Sequence, residues 1–131
     1  MDHKQELSKY RIEEAKRCLS SAELLLGAED FKSAVNRSYY SVFNAIRSIF
    51  ALQGKDFKSH SAVISCFRVE YIKTKIFDDK MSDIIRDLFQ IRNKSDYDDF
   101  YCIDKQSAFE QIENAGYFLE QVEAYLKTQH Y

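Results

Sequence analysis

The sequence contains no proline and only three glycines among its 131 residues. Sheet-rich domains need these residues to form their turns, so their scarcity argues against a β-rich fold and favours helices. Hydrophobic residues make up 45% of the chain and aromatic residues 15%, which is typical of a globular protein and excludes a disordered one. At this length we expect one domain that spans residues 1–131.

Long apolar runs and cysteine clusters are also missing. No apolar run approaches the roughly 20 residues that a membrane-spanning helix needs, and the N-terminus is polar, which predicts a cytoplasmic protein. Cys18, Cys66 and Cys102 lie far apart in the chain without a CxxC pair. This spacing favours reduced thiols over a disulfide framework or a structural zinc site.

The charge balance and the missing motifs exclude several classes of protein. The net charge is −2, so no global basic field attracts nucleic acid, and RNA binding would need a local patch or a dimer groove. The chain contains no GxGxxG, GxxxxGK or HExxH motif. The acidic stretch near residue 96 does not have the spacing of an EF-hand. We therefore predict neither a metal ion nor a cofactor.

Apolar residues recur at three- and four-residue steps in five segments, which predicts five helices. The first spans residues 5–28, and the second, the most apolar, should lie at the centre of the fold. The last should bury Phe109, Ile112, Ala115, Leu119, Val122 and Leu126. The later helices have candidate N-caps at Asp30, at Ser59, at Asp78 or Asp79, and at Asp104 or Ser107. Short connections predict an all-α, antiparallel up-down bundle.

A polar stripe runs along the second helix and offers candidate binding residues. At 100° per residue, its members lie within about a quarter turn of each other: Arg37, Tyr40, Asn44 and Arg47. Two arginines beside hydrogen-bonding groups could bind a phosphate or a carboxylate. The alternative is that the stripe is solvated or pairs with acids of neighbouring helices.

Histidine is scarce, and its positions narrow the choice of a proton-transfer group. Two of the three histidines, His3 and His130, lie at the termini. His60, near the start of the third helix, is therefore the candidate for acid–base chemistry near neutral pH. A lone histidine at a helix start can equally be a capping or packing residue.

The stretch "QIRNKSDYDDFY", residues 90–101, places Arg92, Asp96 and Tyr97 together where the fourth helix should end. We expect this stretch to interrupt the helical pattern. The three side chains are then either a charged surface turn or a polar cluster at a helix end.

Three motifs carry a resemblance to a known family. They are "NRSYYSVFNA" in the second helix, "KSHSAVI" at the start of the third, and R-x3-D-Y at the end of the fourth. In this order and spacing, they resemble the small prokaryotic HEPN proteins (higher eukaryotes and prokaryotes nucleotide-binding). The resemblance covers Asp30 to about Tyr125. It implies a homodimeric helical bundle whose arginine motifs face each other across a two-fold axis.

The resemblance also implies a partner and an activity. Many HEPN proteins are encoded beside a minimal nucleotidyltransferase, and the two act as a toxin and its antitoxin. Active members are metal-independent endoribonucleases with an R-x4–6-H motif, whose arginine holds the scissile phosphate while the histidine assists attack by the 2′-hydroxyl. Arg92 matches that arginine, but Tyr97 and Asp99 stand at the x4 and x6 positions, and this stretch contains no histidine.

This departure leaves two interpretations open. A tyrosine with a pKa near 10 is a poor base, and Asp96 could occupy Arg92 in a bidentate pair. The missing histidine favours a binding module that holds a nucleotidyltransferase and a nucleotide or RNA phosphate in an Arg92-centred dimer groove. The alternative is an active endoribonuclease toxin, and the exposed Tyr97 and Tyr101 are candidates for modification by a partner. The catalytic candidates are Arg92, His60 and Tyr97, and the binding candidates are Arg37, Tyr40, Asn44, Arg47 and Asp96.

Overall fold

A computed structural model describes residues 2–129 and confirms the all-α bundle. Within this range the chain forms five α-helices and no strand. A five-residue π-helical turn, Arg68–Ile72, follows the third helix directly. The helices are α1 (His3–Gly27), α2 (Phe31–Leu52), α3 (His60–Phe67), α4 (Asp79–Tyr97) and α5 (Lys105–Thr128).

Side-chain caps define where the helices begin. Asp30 accepts a hydrogen bond from the backbone N–H of Ser33 at 3.2 Å, and Ser59 accepts one from Ala62 at 3.1 Å. The structure also decides between the alternatives that the sequence left open. The caps are Asp78 for α4 and Asp104 for α5. Each satisfies an N–H group that the helix itself leaves without a partner.

Helices α1 and α2 pack closely because their facing surfaces are built from small residues. We call this contact the α1–α2 seam: Ser8, Ala15 and Ala22 of α1 against Ala34, Ser41 and Ser48 of α2. All six are fully buried. Ser8 Oγ donates to the Ser48 carbonyl at 2.7 Å, and Ser41 Oγ donates to the Ala15 carbonyl at 2.8 Å. Short side chains let two helix axes approach, and the hydroxyl groups that become buried are hydrogen-bonded.

Helix α2 lies at the centre of the bundle, as its apolar pattern predicts. It contacts each of the other four helices. Near its C-terminal end, α2 contributes Phe50 to an aromatic cluster with Phe67 of α3 and Tyr71 of the π-helical turn. The ring centroid of Tyr71 lies 5.9 Å from that of Phe50 and 5.5 Å from that of Phe67. Edge-to-face and offset ring pairs of this kind add to the stability gained by burial.

Two predictions about α4 and α5 require correction. Helix α4 is not interrupted at Arg92 but continues to Tyr97, where the extended backbone of Asp98 ends it. The prediction that Phe109 faces inward is wrong, because 45% of this residue is exposed. The buried face of α5 begins at Ala108, so Phe109 lies about 100° away from that face.

No helix within residues 2–129 is both long enough and apolar enough to cross a membrane. The described part of the chain also contains no group of three or more His, Cys, Asp or Glu side chains placed to hold a metal ion.

Candidate functional site

The register of α4 carries a charged residue onto the buried side of the helix. Ile85 and Leu88 face the core, and Ser95 is buried in the last turn of the helix. Arg92 lies four residues after Leu88 and three before Ser95, so it belongs to the same stripe. Its side chain is accordingly only 21% exposed. The sequence signal for this placement was the continuation of the apolar stripe through position 92.

Two tyrosines of α2 contact the Arg92 guanidinium. Its Cζ lies 4.7 Å from the ring centroid of Tyr39 and 5.5 Å from that of Tyr40. Arg92 Nη2 also donates a long hydrogen bond to the Tyr40 hydroxyl, at 3.3 Å. Cation–π contacts are stronger when the cation is partly removed from water, as it is here. The two rings therefore fix the guanidinium without neutralising its charge.

Asp96 contacts Arg92, but not in the bidentate manner that the sequence suggested. A single pair of atoms, Arg92 Nε and Asp96 Oδ2, approaches to 3.5 Å. This is an ion pair without hydrogen-bond geometry, since Arg92 Nε is buried and has no hydrogen-bond acceptor among residues 2–129. The hydroxyl of the neighbouring Ser95 is also buried and has no hydrogen-bond partner among residues 2–129. Buried polar groups are normally paired, so two neighbouring unpaired ones distinguish this end of α4.

His60 reaches the same cluster from α3. Its Nδ1 lies 3.0 Å from the Tyr39 hydroxyl, and its ring stacks on Phe43 with centroids 4.0 Å apart. Burial lowers the pKa of His60, and the positive charges of Arg92 and Arg47 lower it further. The imidazole is therefore mostly neutral at pH 7, the state that a general base requires.

Tyr39 connects these two candidates and was missed as a site residue. Sequence reasoning assigned it to the apolar face of α2, and it is indeed buried. Burial raises the pKa of Tyr39 to about 12, although the charge of Arg92 opposes this shift. The phenol therefore keeps its proton at neutral pH. Tyr39 is a rigid bridge between Arg92 and His60, and it does not act as a base.

A groove of about 480 Å³ opens beside Arg92, between α2, α4 and the end of α1. We call it the Arg92 groove. Of the described residues that line it, Lys32, Arg37 and Arg92 are cationic and Asp96 is anionic. A net negative protein thus carries a locally positive groove, and this charge favours an anionic ligand.

The structure gathers some predicted residues at this groove and separates others. Arg37 joins it, with its Cζ 5.2 Å from the Tyr40 ring centroid. Asn44 instead donates its side-chain N–H to the Tyr40 backbone carbonyl at 3.0 Å, so it serves its own helix. Arg47 lies further along α2, with its Nη2 4.0 Å from Asp56 Oδ1. Tyr97 is 87% exposed.

Of the two histidines near the termini, the structure describes His3. His3 is the first residue of α1 and lines a second cavity, described below. His130 lies outside the described residues.

Comparison with known proteins assigns the chain to a family. The model of the HEPN domain family matches residues 8–125, which is most of the chain. The chain belongs to the HEPN family. The family assignment and the five-helix bundle therefore agree with the resemblance that the three sequence motifs carry.

Relatives of this HEPN protein occur in bacteria and archaea. A "UPF0332 protein" of Thermotoga maritima is 30% identical over 123 residues, which covers 94% of this chain and 93% of that protein. "Putative toxin MJ0142" of Methanocaldococcus jannaschii is 32% identical over 124 residues, covering 95% of this chain and 84% of that protein. "Putative toxin MJ0605" of the same organism is 28% identical over 86 residues, covering 66% of this chain and 64% of that protein.

Proposed function

We propose that this HEPN protein binds an RNA or nucleotide phosphate in the Arg92 groove, as the toxin-like half of a cytoplasmic toxin–antitoxin pair. One observation carries the proposal. Arg92 is held between two tyrosine rings, yet its buried Nε has no hydrogen-bond acceptor among residues 2–129. A phosphate oxygen beside the guanidinium would supply that acceptor.

The neighbouring residues suit the same ligand. Lys32 and Arg37 line the groove and add positive charge on the side of α2, so a phosphate would be contacted from two helices. Charge-assisted hydrogen bonds from a fixed arginine to phosphate are about twice as strong as neutral ones. Asp96 opposes this binding, because its carboxylate lies 3.5 Å from Arg92 Nε. The groove therefore favours a ligand that carries full negative charge.

Two further features support the partner and the dimer. Two relatives are named "putative toxin", which fits a protein that acts together with an antitoxin, here a minimal nucleotidyltransferase. At the end of α4, Tyr97 and Phe100 are large apolar side chains that are almost fully exposed. Exposed aromatic side chains beside a polar groove are typical of a protein contact surface. We propose that this surface forms the two-fold homodimer or receives the nucleotidyltransferase.

A second function, metal-independent RNA cleavage, is favoured by the contact of both His60 and Arg92 with Tyr39. In this reaction Arg92 holds the scissile phosphate, and His60 Nε2 accepts the proton of the ribose 2′-hydroxyl. The 2′-oxygen then bonds to phosphorus, and the bond to the 5′-oxygen breaks. The leaving oxygen takes up a proton, and the products are a 2′,3′-cyclic phosphate and a 5′-hydroxyl. The lowered pKa of His60 leaves the imidazole neutral for the first step.

The first experiment measures binding of a fluorescent single-stranded RNA by anisotropy. We expect Arg92→Ala to weaken binding at least tenfold, since a hydrogen bond to a charged group contributes about 1.5–3 kcal/mol. Arg86→Ala is the matched control, because Arg86 lies on the exposed side of the same helix and pairs with Asp83 and Asp87. Equal binding by wild type and Arg92→Ala would refute the proposed groove.

A second measurement separates the two functions. Total RNA is incubated with the protein in EDTA, and the products are tested for 2′,3′-cyclic phosphate ends. Cleavage that is lost in both Arg92→Ala and His60→Gln supports the ribonuclease. Binding without cleavage supports the binding module. Cleavage that survives in His60→Gln would exclude His60 as the base.

A further inference from the structure

A second cavity lies at the other end of α2, away from Arg92. It has a volume of about 280 Å³ and lies between the first turns of α1 and the connection from α2 to α3. We call it the α1 pocket. Neither Arg37 nor Arg92 lines it, so it is separate from the Arg92 groove.

The α1 pocket is strongly basic. Of the described residues that line it, four are cationic, Lys4, Arg11, Arg47 and Lys55, and the acid is Asp56. The Asp56 side chain is 85% exposed, and its Oδ1 lies 4.0 Å from Arg47 Nη2, so it neutralises little of this charge. Lys55 is already paired with Glu70 at 2.8 Å. Three cations of the lining therefore remain to bind an anion: Lys4, Arg11 and Arg47.

Arg11 has an unused hydrogen-bond donor beside this pocket. Its Nε is buried and has no hydrogen-bond partner within residues 2–129. Burial lowers the pKa of Arg11, the nearby charge of Arg47 lowers it further, and Asp56 only partly compensates. Two guanidinium groups that repel each other in a partly buried place are stabilised by an anion between them.

The remaining wall of the pocket is apolar. Leu7, Phe50, Phe57 and Val63 line it, and the Phe57 ring packs edge-on against Phe50 with centroids 5.0 Å apart. Inorganic phosphate would leave this wall uncovered. A phosphate ester that also carries a flat or apolar group would cover it, and the volume suits a small molecule.

The Lys4 side chain lies beside Gly54 at the edge of this pocket. Gly54 has a φ of +68°, a conformation that side chains rarely adopt, and a Cβ there would lie 2.9 Å from Lys4 Cε. Glycine therefore makes the turn after α2 and also leaves the space that Lys4 occupies.

We propose that the α1 pocket binds a small phosphate ester, with Arg11 and Arg47 holding the phosphate and Phe57 covering its apolar or flat part. This site does not depend on the function proposed for the Arg92 groove.

The test titrates the full chain with AMP, inorganic phosphate and adenosine, and follows binding by calorimetry. We expect saturable binding of AMP, at least tenfold weaker binding of phosphate, and no binding of adenosine, because both the anion and the flat group contribute. Arg11→Gln, which keeps an amide but removes the charge, should weaken AMP binding at least tenfold.

Three further variants make the result decisive. Lys4→Gln changes an exposed side chain that does not support the core, so it should fold normally and weaken AMP binding several-fold. The titrations are repeated in the Arg92→Ala protein, which removes AMP bound in the Arg92 groove, so that the remaining binding belongs to the α1 pocket. Thermal unfolding followed by circular dichroism checks that each variant is folded. If Arg11→Gln unfolds, Arg47→Gln replaces it. No saturable AMP binding by the Arg92→Ala protein, or binding there that neither Arg11→Gln nor Arg47→Gln weakens, would overturn the proposal.

Discussion

The α1–α2 seam and the end of α4 handle buried polar groups in opposite ways. In the seam, the hydroxyl groups of Ser8 and Ser41 donate to carbonyls of the facing helix. At the end of α4, Arg92 Nε and Ser95 Oγ are buried but have no hydrogen-bond partner within residues 2–129. A buried polar group without a hydrogen-bond partner costs free energy, so such a group needs an explanation. The seam is thus closed within the protein, whereas the end of α4 keeps hydrogen-bonding capacity for the ligand that we propose.

The largest effect should come from disturbing the seam. Ala15 is fully buried against Ser41, so Ala15→Leu would force the two helices apart and lower the free energy of unfolding by about 1–3 kcal/mol. Urea unfolding at pH 7.5 measures this change. Ser20→Leu, on the exposed side of the same helix, is the control and should change stability by less than about 0.5 kcal/mol. A stable Ala15→Leu protein would show that the seam is not tightly packed.

Arg92→Ala should lower stability only slightly but should weaken RNA binding strongly. The change removes cation–π contacts, but it also removes a buried charge whose Nε has no acceptor within residues 2–129. We expect the free energy of unfolding to fall by only about 1 kcal/mol, while RNA binding weakens at least tenfold. Urea unfolding beside the anisotropy measurement tests this. A loss of stability as large as that of Ala15→Leu would mean that Arg92 is a structural residue.

A third prediction concerns pH. The pKa of His60 is lower in the folded protein than its ordinary value of about 6.5, so the unfolded chain binds more protons below that pH. The stability that this difference provides is present above about pH 6.5 and is lost as the pH falls through the folded pKa. The free energy of unfolding should therefore fall less between pH 7.5 and pH 5.5 in His60→Gln than in wild type. Parallel curves for the two proteins would contradict this.

The smallest expected effect is a gain in affinity for RNA. Asp96 places a carboxylate 3.5 Å from Arg92 Nε without a hydrogen bond, so it attracts the guanidinium and repels an incoming phosphate. Asp96→Asn should strengthen RNA binding about two- to five-fold at low salt, and less at high salt, because screening weakens the repulsion. Asp87→Asn should have a smaller effect, because Asp87 pairs with Arg86 and does not line the groove. Weaker binding by Asp96→Asn would show that Asp96 positions Arg92 for its ligand.

Much of the fold follows from local signals. The caps at Asp30 and Ser59 were predictable because a capping side chain acts on an N–H group three residues away. The central place of α2 followed from its broad apolar face. Phe109 was misassigned because periodicity alone does not distinguish it from its neighbour Ala108, and only the packing of α5 shows which of the two is buried.

The residues of the candidate site could be predicted from the sequence in part, but the contacts between them could not. Amino-acid order was enough to select Arg92, by its motif, and His60, by the scarcity of histidine. It could not show that both contact Tyr39, since His60 lies 21 positions further along the chain than this tyrosine and on a different helix. Nor could it show that Arg11 and Arg47 line one pocket. Capping and periodicity act within a few residues, whereas contacts between helices depend on how whole helices pack, and only the tertiary structure determines that.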